Sequence, residues 1–199
     1  MIKQENLICG ILGKKGSGKT TLAKRIITRL DRVIVLDEFR DYVECLPVKN
    51  INDLTYIVRQ LDTVKFKIAY QADNQDETDN FLEVINYVNN YTLVIEEVDL
   101  YANSHDIHKE ILSLLKYGRH FNRSLIYISR SPFEIHRYLT RQSDFIISFM
   151  QTEPRDIQYL QEYNFNKDVS AIKYEKFEYA VWFGYPGAEQ KFKKMLKKS

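Results

Sequence analysis

The sequence predicts an α/β fold, a mostly parallel central sheet flanked by helices, with a phosphate-binding loop at one strand end. Three observations predict it. Short apolar runs alternate with helix-period segments along almost the whole chain, as βαβ units do. Residues 13–20 read Gly-Lys-Lys-Gly-Ser-Gly-Lys-Thr, a complete Gly-x-x-x-x-Gly-Lys-Thr loop. A later apolar run ends in two adjacent acids, Glu96 and Glu97. At 199 residues and 44% hydrophobic content, the chain is long enough for one domain with a substantial core.

The elements follow in order. Leu7–Leu12 is apolar throughout, as a strand buried on both faces is. Leu22, Ile26, Ile27 and Leu30 share one helical face, so a helix follows the loop from Lys19 to Leu30. Arg32–Asp37 reads as the second strand, Asp53–Leu61 as a short helix and Lys65–Tyr70 as another strand. Phe81, Leu82, Val84, Ile85 and Val88 mark a helix, with Asp76, Glu77 and Asp79 near its positive end. Thr92–Glu97 is the strand that ends in acids. A helix from about Ser104 to Tyr117 would bury Ile107, Ile111, Leu114 and Leu115. Leu125–Ser129 is the next strand. Ser131-Pro132-Phe133-Glu134 places Ser at a cap, Pro at the first helical position and Glu at the third, a helix start. Asp144–Phe149 is the last central strand, and residues 154–163 read as helix. Ala171–Tyr174 and Tyr179–Phe183 pair as a hairpin. Residues 186–199 form a basic tail carrying Lys191, Lys193, Lys194, Lys197 and Lys198. No repeat or low-complexity linker divides residues 1–199, so a single domain is expected.

Composition narrows the class. A net charge of +2 gives no global basic field, so any nucleic-acid contact would be local. Two cysteines, Cys9 and Cys45, make no disulfide framework and point to a reducing, cytoplasmic setting. No apolar run has the length of a membrane span. The N-terminal apolar stretch runs directly into the loop, unlike a cleavable signal.

The chemistry begins at the loop. Glycines let backbone N–H groups curl around a phosphate, and the following helix brings its positive dipole end to the same place. Gly13, Lys15, Gly16, Ser17, Gly18, Lys19, Thr20 and Thr21 are the expected phosphate contacts. Lys19 is expected at the β- and γ-phosphates, and the Thr20 hydroxyl on Mg²⁺. Glu96 and Glu97 stand in the Walker B position, where the first acid would hold the metal and the second polarise the attacking water. That motif usually has Asp first; Glu96 is one methylene longer. The alternative is a solvated strand end, and Asp99 is a weaker substitute. Phosphoryl transfer needs a positive group at the γ-phosphate. Arg119 and Arg123 are candidate fingers toward a neighbouring subunit, or else a solvated basic turn. Ser129 and Arg130 end the strand beside the acids, the place of a γ-phosphate sensor. Arg130 is alternatively an ordinary surface residue. His105, His108, His120 and His136 lack companions at metal spacing and read as surface residues.

Taken together, the loop, the Ile95-Glu96-Glu97 strand end, Tyr117-Gly118-Arg119-His120, Ile128-Ser129-Arg130-Ser131-Pro132, Leu139–Asp144 and Phe149 resemble the HerA/FtsK superfamily of ring-forming DNA pumps. The resemblance covers residues 7–165. Small size resembles in particular the genome-packaging ATPases of membrane-containing icosahedral viruses, those of archaeal turreted icosahedral viruses above all. It implies an ASCE-type P-loop ATPase using ATP and Mg²⁺, with subunits in a homo-oligomeric ring, a pentamer or hexamer, around double-stranded DNA. It implies Glu97, Lys19 and a trans-acting Arg119 as catalytic groups. It also implies a host-cytoplasmic or virion-associated setting and contacts with capsid or membrane-vertex proteins. The superfamily commonly carries Gln at the sensor place, where this chain has Ser129-Arg130. In a ring, a few basic residues per subunit would make a dense patch for DNA, and the lysine-rich tail is a candidate. A small-molecule or nucleoside kinase is the alternative enzyme, with Arg137 and Arg141 on a lid. A nucleotide-dependent switch is the alternative without turnover. Guanine recognition by Asn-Lys-x-Asp is absent, since Asn166-Lys167-Asp168 lacks the spacer.

Overall fold

Apolar strands buried on both faces must lie inside a sheet that helices cover on each side, and the chain builds that arrangement. The structure is a computed structural model, and it describes residues 6–60, 64–163, 177–185 and 187–197. Among these, the order is β1 (Ile8–Leu12), α1 (Lys19–Ile27), β2 (Arg32–Leu36), β3 (Leu46–Val48), α2 (Ile51–Gln60), β4 (Phe66–Tyr70), α3 (Gln75–Ile85), β5 (Tyr91–Ile95), α4 (Lys109–Tyr117), β6 (Arg123–Ser129), α5 (Arg137–Gln142), β7 (Phe145–Phe149), α6 (Pro154–Tyr163), β8 (Tyr179–Phe183) and α7 (Ala188–Lys197).

The strands lie in the order β3-β4-β2-β5-β6-β1-β7-β8. Every neighbouring pair is parallel except β7 with β8. The C-terminal ends of the parallel strands therefore share one edge, where α/β sheets bind ligands. Strand β6 lies between β1 and β5, so the loop after β1 and the acids after β5 are one strand apart. All residues of β1, β2, β5, β6 and β7 are buried. Their side chains alternate between two cores. Ile8 and Leu12 face Tyr70, Phe81 and Tyr127 on one side. Cys9 and Ile11 face Ala23, Ile26 and Phe145 on the other. Gly10 sits where a Cβ would lie 2.5 Å from the Tyr127 hydroxyl. Its bareness admits that ring, which bonds Ser143 Oγ at 2.8 Å.

Four local differences from the sequence expectation have physical causes. The helix expected from Ser104 begins only at Lys109. Ala102 and Ile107 pair as an isolated bridge, and His108 caps the helix, Nδ1 accepting from Glu110 N at 3.2 Å. His108 is therefore a half-buried cap rather than a surface residue. At Ser131 the expected cap forms, with Ser131 Oγ accepting from Glu134 N at 3.2 Å. The helix does not propagate there, because Ile135 is bridged to Asn103. It starts again at Arg137, capped by His136 Nδ1. Leu46–Val48 forms an unexpected edge strand, and Pro47 is tolerated there because an edge leaves one side unpaired. Within the expected basic tail, residues 188–197 form a helix. Its Phe192 packs edge-on against Phe145 at 4.9 Å, and Met195 is buried. Two of its lysines pair with acids, Lys191 with Asp144 and Lys193 with Glu189. Tyr179–Phe183 pairs with β7, whereas the other expected hairpin arm, residues 171–174, lies outside the described residues. No helix among the described residues is long and apolar enough to cross a membrane.

Both cysteines are free and buried. Burial pushes the Cys9 thiol up and raises Cys45 to about 11. Native protein at pH 7 should therefore react with a maleimide at least roughly 100-fold more slowly than a free thiol, and both cysteines should label on unfolding. Rapid labelling of the native chain would contradict the burial described.

Candidate active site

The loop between β1 and α1 turns on three glycines with positive φ: Gly13 at 149°, Gly16 at 76° and Gly18 at 105°. Gly13 N donates to Ser129 O at 3.2 Å, which ties the loop to the end of β6. Gly18 caps α1 in the left-handed conformation with no side-chain hydrogen bond. The first N–H groups of α1 thus have no side-chain acceptor and face the loop's concavity, an arrangement suited to an anion. Ser17 Oγ is buried with no hydrogen-bond partner among the described residues. Lys19 is buried, and its Nζ donates to Gly13 O at 2.7 Å and Lys14 O at 3.2 Å. An ammonium has three protons, so one remains for a phosphate oxygen. Burial lowers the Lys19 pKa, while Glu97 and Glu96 work against the shift. Lys14, Lys15 and Gly16 are exposed around the loop's outer turn, and Thr21 is exposed in the first turn of α1.

Glu96 follows β5. Its carboxylate accepts from Tyr42 Oη at 2.6 Å, and the Thr20 hydroxyl lies near enough to act on it. Burial raises the Glu96 pKa; the Tyr42 bond, the nearby Thr20 hydroxyl and the charge of Lys19 oppose that rise. A hydroxyl and a carboxylate converging at a phosphate loop are the hard oxygen donors that Mg²⁺ takes, so the residues present fit that ion. The next residue, Glu97, is left-handed with φ 45°. That turn aims its carboxylate at the end of β6. There one oxygen, Oε1, accepts from Arg130 Nε at 3.1 Å and Nη2 at 2.9 Å. Asp99 lies on the same rim and accepts from Ser129 Oγ at 2.7 Å. On the β7 side of the loop is a cavity of about 440 Å³ whose lining includes Ser17, Phe149, Met150 and Phe177. A Cβ on Gly18 would lie 2.8 Å from the Phe177 ring, so only glycine lets that ring approach the loop.

Two expected arginines lie elsewhere. Arg119 is exposed in the Gly118–Phe121 turn at the N-terminal end of β6. Seven residues of strand separate it from the loop's edge of the sheet, roughly 20 Å. Arg123 begins β6 and is 5% exposed. Its Nε donates to Val88 O at 2.7 Å, its Nη2 to Asn86 O, and its guanidinium lies over Phe121. These bonds satisfy carbonyls past the C-terminal end of α3. Arg123 is therefore committed to the fold, a correction to its place among the fingers. Arg137 and Arg141 lie one turn apart on α5, and Arg137 lines a pocket with Phe133, Arg155 and Tyr159. Tyr42 is the residue that sequence reasoning missed. The Asp37 carboxylate holds it by accepting from Asp41 N and Tyr42 N at 2.8 and 3.0 Å. Nothing in the sequence links Tyr42 to an acid more than fifty positions away, among 14 tyrosines.

The family described as helicase HerA, central domain, matches residues 7–175. Three solved structures share the fold. The genome packaging NTPase B204 from Sulfolobus turreted icosahedral virus 2, in complex with ATP-gammaS, has a TM-score of 0.73 at 16% identity, over 92% of this chain and 94% of that one. The DNA-packaging ATPase B204 from Sulfolobus turreted icosahedral virus has a TM-score of 0.68 at 18% identity, over 90% and 93%. The N-terminal domain of zonular occludens toxin from Neisseria meningitidis has a TM-score of 0.52 at 12% identity, over 94% and 98%. No curated protein matches the chain.

The fold-holding role of Arg123 has a direct check. Arg123→Ala should lower stability by about 1.5–3 kcal/mol, as loss of hydrogen bonds from a charged donor does, while leaving nucleotide affinity within twofold. Denaturant unfolding and nucleotide titration of the same variant measure both.

Proposed function

We propose that this chain, which belongs to the family of the HerA helicase central domain, hydrolyses ATP with Mg²⁺ and uses the energy to move double-stranded DNA, as in viral genome packaging. One observation carries the reading. The Glu96 carboxylate lies near Thr20 and Lys19 at the head of α1, with Glu97 and Arg130 paired at the neighbouring strand ends.

In this reading the loop N–H groups and Lys19 take the phosphates, with Gly13 to Thr21 as the cradle. Thr20 and Glu96 hold the metal, which supplies positive charge against the phosphate oxygens when bound. Glu97 accepts the proton of the attacking water, and Arg130 meets charge on the γ-phosphate. Because the acids lie on the β5–β6 side, the nucleoside end extends the other way, into the cavity by Phe149 and Phe177. Arg119 lies on the wrong edge for its own loop. It serves a neighbouring subunit's nucleotide in a homo-oligomeric ring, a pentamer or hexamer. The ring threads DNA through its centre and docks on capsid or membrane-vertex proteins, within the host cytoplasm or on the virion. The likeness in fold to packaging NTPases supports this assignment.

Three variants test it. Glu97→Gln should retain ATP binding, at least as tight as in the wild type, and lose at least about 100-fold in turnover; normal turnover would move the base elsewhere. Arg119→Ala should bind nucleotide and lose about 10³ in rate, with partial recovery in mixed rings containing Glu97→Gln subunits. Mixed rings that form and stay inactive would end the trans assignment. Tyr42→Phe removes a hydroxyl from Glu96, so calorimetric ATP titrations should need about 10-fold more Mg²⁺ with metal-free affinity unchanged. An unchanged magnesium requirement would show that Tyr42 does not position the metal carboxylate.

A further inference from the structure

The proposed function gives Glu97 the water and Arg130 the γ-phosphate, yet the structure binds these two side chains to each other. Both Nε and Nη2 of Arg130 donate to Oε1 of Glu97, at 3.1 and 2.9 Å. A carboxylate oxygen that accepts two charge-assisted hydrogen bonds is poorly placed to take a proton from water. A guanidinium whose fork is turned to a carboxylate is equally withheld from phosphate.

The surroundings allow these partners to separate. The Arg130 side chain is 55% exposed and that of Glu97 22%, so the pair sits on an open rim. Exposed ion pairs are weak, about 0.2–1 kcal/mol, and a γ-phosphate brings more negative charge than one carboxylate. The flanking groups are fixed by other contacts. Ser129 is held by Asp99, the Ser129 carbonyl by Gly13 N, and the left-handed turn at Glu97 sets the direction of its side chain. The arginine side chain is the part able to exchange.

We propose that Arg130 alternates between two partners. It holds Glu97 while no γ-phosphate is present, and transfers to the γ-phosphate of a bound triphosphate, which releases Glu97 to the water. Arg130 is then the residue that discriminates triphosphate from diphosphate, and the base is engaged again once the γ-phosphate has gone. No covalent step is added. The proposal rests on the nucleotide site assigned above and concerns a place where this chain has arginine at the end of β6.

A double-mutant cycle on binding tests it without turnover. Wild type, Glu97→Gln, Arg130→Ala and the double variant are titrated calorimetrically with Mg²⁺-ADP and with the Mg²⁺ complex of a β,γ-methylene ATP analogue. Glu97→Gln weakens the hold on Arg130, so it should tighten the analogue about 2–5-fold and leave ADP unchanged. Arg130→Ala should lower the preference for the analogue over ADP about 10-fold. Adding Glu97→Gln to Arg130→Ala should then change neither affinity. If Glu97→Gln tightens the analogue equally with and without Arg130, the effect is relief of carboxylate–phosphate repulsion and the exchange is wrong. Retained triphosphate preference in Arg130→Ala also overturns it. If wild type binds neither nucleotide, the nucleotide site itself fails, and the exchange with it.

Discussion

The parallel register of β5, β6 and β1 is the constraint from which the site follows. Parallel pairing sends the three C-terminal ends to one edge, and β6 spaces the phosphate loop one strand from the acids. A hydroxyl from α1 and a carboxylate from the far side of β6 can then come near each other, while the end of β6 itself delivers Ser129 and Arg130 between them. An antiparallel β6 would carry those residues to the opposite edge and leave the loop facing an acid with nothing between. The buried strands keep the register from slipping, because a one-residue shift would exchange the two cores.

The site is held by second contacts as much as by its own residues. Asp37, 1% exposed at the end of β2, exists structurally to fold residues 37–42 back, and so places the Tyr42 hydroxyl on Glu96. Lys24 lies over the Tyr42 ring and binds Asp41 O. Helix α1, which presents Thr20, thereby also braces the loop that steadies Thr20's partner acid. This closed circuit of α1, the β2–β3 loop and the end of β5 leaves little freedom at Glu96. On the other side of the loop, Arg130 and Glu97 pair on an open rim, with fewer bracing contacts among the described residues.

Legibility in the sequence followed the range of the interaction. The loop, its flanking strand and helix, and the acids at 96 and 97 are contiguous patterns, and the structure has the loop between β1 and α1 and the acids directly after β5. Residues 154–163, a modest amphipathic segment, form helix α6 within the same bounds. Helix α4 starts later than its periodicity suggests because a strand-like bridge at Ile107 competes with helical periodicity that reads smoothly through it. The start at Ser131 misled for the same reason: the local cap is real, but a distant partner, Asn103, takes the residue that would extend it. Arg123 and Arg119 look alike in sequence, since only burial against the carbonyls that follow α3 separates them. Tyr42 and the Glu97–Arg130 pair arise from chain segments far apart, and no local signal encodes them.

The sheet's first edge has a bearing on self-association. β3 is three residues long and carries Pro47, which offers no N–H to an incoming strand. A long bare edge would invite copies held at high local concentration to zip backbone to backbone, a route that grows without limit. A short, proline-interrupted border discourages that growth from this side of the sheet.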